Sequence, residues 1–313
     1  MRYSQATLLG LSLGLLCLAV PRAGAAQGAK PLAGGGKLEY VGTEICQGCH
    51  PDQYDRFLAT GMGQLFLKTP RNEAEKLGCE GCHGPGSAHV DADGKKPGLL
   101  MSFAANDRRP VPERNAVCTK CHDRGARLYW QGSAHEGRDL ACTNCHTVMQ
   151  QVSERALLSK PTVLATCGQC HQQRTAQLAR FSHMPLGEGK LDCTSCHNPH
   201  GSQTEKLLKG NSMNEVCYAC HAEKRGPFLY EHQPVAENCG NCHDPHGTNN
   251  EKMLTVSKPR LCQRCHDTSG HPARPLNVAA VPSSATFLLN RQCVNCHFNI
   301  HGSNHPSGST FTR

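Results

Sequence analysis

Cysteine and histidine are the residues in this sequence with the types and spacing to do chemistry. Of its 21 cysteines, all but Cys17 fall into Cys-x-x-Cys-His units. In chain order the units are Cys46, Cys49 and His50; Cys79, Cys82 and His83; Cys118, Cys121 and His122; Cys142, Cys145 and His146; Cys167, Cys170 and His171. They continue with Cys193, Cys196 and His197; Cys217, Cys220 and His221; Cys239, Cys242 and His243; Cys262, Cys265 and His266; Cys293, Cys296 and His297. Two thiols three residues apart can form thioethers to the two vinyl groups of one haem, and the adjacent imidazole then reaches its iron. Zinc sites and disulfides also use paired cysteines, but neither requires a histidine after every second one. The pattern therefore predicts ten covalent haems c, each with its proximal ligand.

An iron that only relays electrons has both axial positions filled, whereas one that binds a substrate keeps a position open. The supply of second ligands is thus a functional test. Beyond the proximal set stand His89, His135, His183, His200, His232, His246, His271, His301 and His305. The first eight are expected as distal ligands. His305 sits so close to His301 that only one of the two is expected to bind, with His301 favoured. Met149 stands where the later copies of its motif, Cys-x-x-Cys-His-x-x-His, place His200 and His246. Met62 follows the first motif at a distance suited to a distal ligand. Both join the candidate list, while Met101, Met184, Met213 and Met253 have no such register and are read as packing residues. Because His200 lies only three residues past His197, it cannot easily reach the far face of that iron. It is expected to serve a neighbouring haem.

These units must be held by the rest of the chain. From Cys142 onward the motifs recur mostly every 22 to 26 residues, a repeat that leaves space for short helices and for loops broken by Pro and Gly. The expected fold is mainly α with extensive loops and low secondary-structure content, with stacked porphyrins acting as the core. Residues 1–26 read as a cleaved signal peptide, with an apolar run from Ala6 to Val20 and a small-residue cleavage region. Cleavage would also remove Cys17. Residues 27–40 form a Gly/Ala-rich linker. The leader predicts an exported chain.

The formal charge of the polypeptide is +8. With the leader removed and ten ionised haems added, the oxidised protein comes to about −4, so the basic residues are read as balancing propionates. There are no Lys/Arg runs with interleaved aromatics, and no nucleic-acid partner is expected.

The stretches CEGCHGPGSAH (79–89), CTSCHNPHGS (193–202), CYACHAEKRGP (217–227), EHQPVAENCGNCHDPHG (231–247) and HGSNHPSG (301–308) resemble the MtrA/DmsE/PioA family of periplasmic decahaem c-type cytochromes. The resemblance runs from the first motif to the C-terminus. It implies an elongated multihaem wire of two pentahaem halves, residues 41–185 as the N-terminal half and 186–313 as the C-terminal half, located in the periplasm. It further implies electron transfer across or towards the outer membrane, with the protein inserted in an outer-membrane β-barrel porin. A periplasmic or inner-membrane cytochrome would serve as electron donor or acceptor, and an extracellular cytochrome or reductase would stand at the other end. The family places His on both sides of each iron, and Met62 and Met149 depart from that pattern. No catalytic residue is singled out, since every motif keeps its proximal His. The alternative is a multihaem reductase or peroxidase in which one haem keeps an open face.

Overall fold

A computed structural model describes residues 38–183, 186, 188–266 and 292–312. The expected leader, most of the linker, Met184 and His271 lie outside the described residues. Among those residues the fold is helical turns joined by loops, with isolated bridges but no sheet. The helices run from three residues, as in Gly125–Arg127, to nine in Val111–Thr119. Helices this short are unstable alone, so their order must come from what they hold. Little of it comes from an apolar side-chain core, because the buried hydrophobic residues are Phe57, Ala141 and Leu254. No described helix is long and apolar enough to cross a membrane.

Every motif closes the same turn. In all ten, the backbone N–H of the histidine donates to the carbonyl of the first cysteine, at 2.8–3.1 Å. One α-turn places residues i, i+3 and i+4 on one face, so both thiols and the imidazole point the same way. Odd-numbered motifs end a helix that starts upstream, such as Thr43–Cys49, Val163–Gly168 and Met213–Tyr218. Even-numbered motifs open a fresh turn at or next to their first cysteine, as in Cys142–Cys145, Cys193–Cys196 and Cys239–Asn241.

Four of the even motifs also carry a repeated loop clamp. A residue one or two places after the histidine donates its N–H to a carbonyl nine to twelve residues on: Thr147 to Leu157, Asn198 to Leu207, Asp244 to Met253 and Asn299 to Phe311, all at 2.7–3.0 Å. Each of these acceptor residues is left-handed, with φ between 49° and 56°. Such a conformation is uncommon for non-glycine residues, and here the hydrogen bonds on either side hold it. A second bond closes three of the loops: Ser159, Lys209 and Thr255 donate to Cys145, Cys196 and Cys242.

Candidate functional site

The cysteines form one ladder along the chain. In each odd motif the first thiol meets the first thiol of the next motif: Cys46 with Cys79, Cys118 with Cys142, Cys167 with Cys193, Cys217 with Cys239, Cys262 with Cys293. Between these pairs the second cysteines approach each other: Cys82 with Cys121, Cys145 with Cys170, Cys196 with Cys220, Cys242 with Cys265. Motifs one to ten are thus neighbours in sequence order, with no gap. Burial together with Cys79 and Glu80 pushes the Cys46 thiol up to about 11. The described cysteines form no disulfide, and among the described residues no cluster of three or more His, Cys, Asp or Glu converges as a metal cage.

Three of the motif pairs are further held by the residue three before the first cysteine. Asn115 accepts from the Cys142 N–H at 2.9 Å and donates to Leu140 at 3.0 Å. Asn214 accepts from the Cys239 N–H at 2.7 Å and donates to the Val235 and Ala236 carbonyls. Both asparagines are buried. In the first pair Thr43 takes this place and accepts from the Cys79 N–H at 3.4 Å. Sequence reading missed these clamps, although Asn-x-x-Cys stands in the text at both asparagines. It also missed Glu80, whose buried carboxylate accepts from the backbone N–H groups of Val41, Gly42 and Gly86 at 2.8–2.9 Å.

Seven proximal imidazoles face a second imidazole at a nearly constant spacing. His50 faces His89 at 6.2 Å between ring centres, and His146 faces His200 at 6.0 Å. His197 faces His246 at 6.0 Å, and His243 faces His301 at 6.3 Å. His171 faces His135 at 6.2 Å, His221 faces His183 at 6.0 Å and His266 faces His232 at 6.1 Å. A metal ion midway between two imidazoles, bonded to each at about 2 Å, sets the ring centres roughly 6 Å apart. Near-parallel rings in van der Waals contact would lie closer, at about 3.5–4 Å. The spacing therefore fits an iron between each pair.

The protonation pattern fits as well. A carbonyl can only accept, so a ring Nδ1 against a carbonyl must carry its proton and leave a lone pair on Nε2 for a metal. That arrangement holds for His83 with Met101, His146 with Ala156, His197 with Lys206, His243 with Lys252 and His297 with Thr310, and for His135 with Pro199. In the clamped loops the acceptor carbonyl is the one just before the left-handed residue. Burial near His146 and Arg127 lowers the His200 pKa to about 4, which keeps the ring in the neutral form that binds metals. Burial lowers His183, His197, His232 and His301 in the same direction.

His200 faces His146 and not His197, and His246 and His301 likewise face rings of other motifs. The partner motif is two units away along the chain, not the next one. His305 behaves differently. It is exposed, and its Nδ1 accepts from the Ser307 N–H at 3.1 Å. The neutral ring then carries its proton on Nε2 and has no lone pair there for iron. His83 and His122 face no second imidazole at this spacing among the described residues; the ring beside His83 is Phe103, at 5.6 Å. Met62 lies half-buried in the first turn of Gly61–Leu67, and Met149 is 36% exposed in the turn after His146.

Comparison with known proteins follows the same lines. A family profile for a doubled CXXCH motif matches residues 183–226 and 232–271, and one for an NrfB-like cytochrome c-type protein matches residues 79–163. The chain is 43% identical over 283 residues to the multiheme cytochrome MtrA of Shewanella baltica, covering 89% of this chain and 83% of that protein. It belongs to the MtrA family of multihaem c-type cytochromes. More distant matches are a C-type polyheme cytochrome, OmcB, of Geobacter sulfurreducens (23% identity, 80% of this chain, 28% of that protein) and a high-molecular-weight cytochrome c of Nitratidesulfovibrio vulgaris (24% identity, 44% of this chain, 24% of that protein). The chain is thus a multihaem electron-transfer cytochrome that binds several haems c covalently.

Proposed function

We propose that the chain carries one haem at each of its ten motifs and relays electrons across or towards the outer membrane from the periplasm. In this reading residues 1–26 direct export and are removed, and two pentahaem halves meet near residues 185 and 186. The wire sits in an outer-membrane β-barrel porin. A periplasmic or inner-membrane cytochrome exchanges electrons at one end and an extracellular cytochrome or reductase at the other. When bound, haem c supplies one-electron redox chemistry. The polypeptide attaches it, fixes its neighbours and sets its potential through ligands and burial.

The observation that carries this reading is the unbroken order of the cysteine ladder. Each motif touches the next, so redox groups attached to them stand in a single file from the first to the last. The MtrA family supports electron transfer as the activity. A second reading, a multihaem reductase or peroxidase with one open coordination site, draws on His83 and His122, which face no second imidazole among the described residues.

The mature holoprotein, co-expressed with a candidate outer-membrane barrel and reconstituted into liposomes, tests the first reading. Dithionite added outside should reduce a dye-coupled acceptor sealed inside only when both proteins are present. Failure to associate with any barrel, together with stoichiometric carbon monoxide binding and turnover of a small oxidant, would favour the enzyme.

A further inference from the structure

Six of the seven ring pairs fall into two series with a fixed register. In one, the distal histidine follows an even motif by three or four residues and faces the proximal ring two motifs back. His200 faces His146, His246 faces His197 and His301 faces His243. In the other, the distal histidine follows an odd motif by eleven to thirteen residues and faces the proximal ring two motifs ahead. His135 faces His171, His183 faces His221 and His232 faces His266.

Extending each series one step towards the N-terminus reaches a methionine both times. Met149 is three residues past His146, and two motifs back from it is His83. Met62 is twelve residues past His50, and two motifs ahead of it is His122. Neither of these targets faces a second imidazole at the common spacing among the described residues. The first motif lacks a unit two places before it. Its ring takes a partner from outside both series, His89, at 6.2 Å.

We propose that Met62 Sδ is the distal ligand of the iron held by Cys118, Cys121 and His122, and Met149 Sδ that of the iron held by Cys79, Cys82 and His83. This rests on the reading that every motif binds a haem. The local structure suits both roles. His83 Nδ1 donates to Met101 at 2.7 Å, which leaves Nε2 for iron. Met62 sits on a helix start fixed by the fully buried Thr60, whose hydroxyl accepts from Gly63 and donates to Phe57. A side chain at Gly63 would lie 1.8 Å from the Phe57 carbonyl oxygen, so Gly61–Leu67 meets the preceding helix, Pro51–Leu58, at backbone distance. Met149 lies in a loop with the same clamp as its histidine-bearing copies, His146 Nδ1 on Ala156 and Thr147 on Leu157.

The consequence concerns where electrons rest. A thioether in place of imidazole raises the iron's potential. The two sites are neighbours, because Cys82 of the second motif approaches Cys121 of the third. The ladder therefore contains one local well, two adjacent high-potential irons, and not two scattered steps.

Near-infrared magnetic circular dichroism of the oxidised ten-haem protein separates His/Met from His/His iron. It should show two His/Met sites, and in a reductive titration those two should fill first. Met62→His and Met149→His should each remove about half of the His/Met intensity, and the double variant all of it, with ten haems retained by mass. Spectra with no His/Met component would overturn the assignment while leaving the electron relay standing. Fewer than ten haems in the wild type would instead sink the reading beneath it. Pairing is checked on the wild-type holoprotein by cryo-electron microscopy: Met62 on the iron of Cys118 and Cys121 supports the register, and Met62 on any other iron overturns it.

Discussion

Residues 145–159 and 196–209 are built as the same loop, yet they end differently. Each has a proximal ring pinned through Nδ1, on Ala156 or Lys206, and each crosses a left-handed leucine, Leu157 or Leu207. After the ring, one reads Thr-Val-Met-Gln and the other Asn-Pro-His-Gly. In the second, Asn198 accepts from the His200 N–H and donates to Ala126, while Gly201 adopts φ 117°. A Cβ on Gly201 would stand 2.0 Å from the Tyr129 carbonyl oxygen. The same backbone contact recurs where Gly247 meets the Gln177 carbonyl oxygen, whereas Gly302 meets the Phe228 ring. At Gly201 and Gly247 the His-Gly step therefore does two jobs: it sets a histidine opposite a proximal ring and lets an upstream segment dock at backbone distance. The loop with Met149 keeps the clamp and gives up the docking glycine. Holding the proximal ring and docking an upstream segment are thus separable functions of one loop.

The largest expected effect comes from removing the ligand from each loop. His200→Ala should open the iron of Cys142 and Cys145, so the reduced protein binds one additional carbon monoxide. Met149→Ala should open the iron of Cys79 and Cys82 to the same extent. If His200→Ala gains a carbon monoxide site and Met149→Ala gains none, the two loops are not equivalent in ligand delivery.

Next comes the docking step. Gly201→Val should destabilise the protein by about 3 kcal/mol or more, since it combines a backbone clash with strain at positive φ. Gln150→Gly should change stability by no more than about 0.5 kcal/mol, as expected at a position free of such contacts. Thermal unfolding followed at the haem absorption measures both; equal effects would remove the distinction.

The smallest effect belongs to the clamps between motifs. Asn214→Ala removes three hydrogen bonds at 2.7–3.0 Å and should cost about 1–3 kcal/mol. In the third pair, the position three before Cys167 is Leu164, which is exposed. Leu164→Ala should fall within about 0.5 kcal/mol. Denaturant titration of the two variants tests whether the asparagine ties its pair of motifs together.

Much of the site was legible because haem attachment is written in contiguous residues. Cys-x-x-Cys-His closes one α-turn whatever surrounds it, so the composition of each unit fixes both the attachment chemistry and the direction of the proximal ring. The shortness of the helices and the lack of sheet among the described residues were legible too, since the apolar residues are too few for a side-chain core. The asparagine clamps were harder to see, because Asn-x-x-Cys gains meaning only when its partner N–H, 25 to 27 residues on, is brought alongside.

The sequence by itself determined the cofactor, the number of attachment sites and the pool of second ligands, all of which are local covalent or coordination chemistry. Only the tertiary structure decided which histidine faces which. In six of the seven pairs it joins motifs two apart, and the offset of a histidine from its own motif does not by itself say which motif it faces. The same fold separates His301, facing His243, from His305, whose Nδ1 is already taken by the Ser307 N–H. Two chemically identical side chains four residues apart differ because a lone pair can serve one partner at a time, and chain packing chooses the partner.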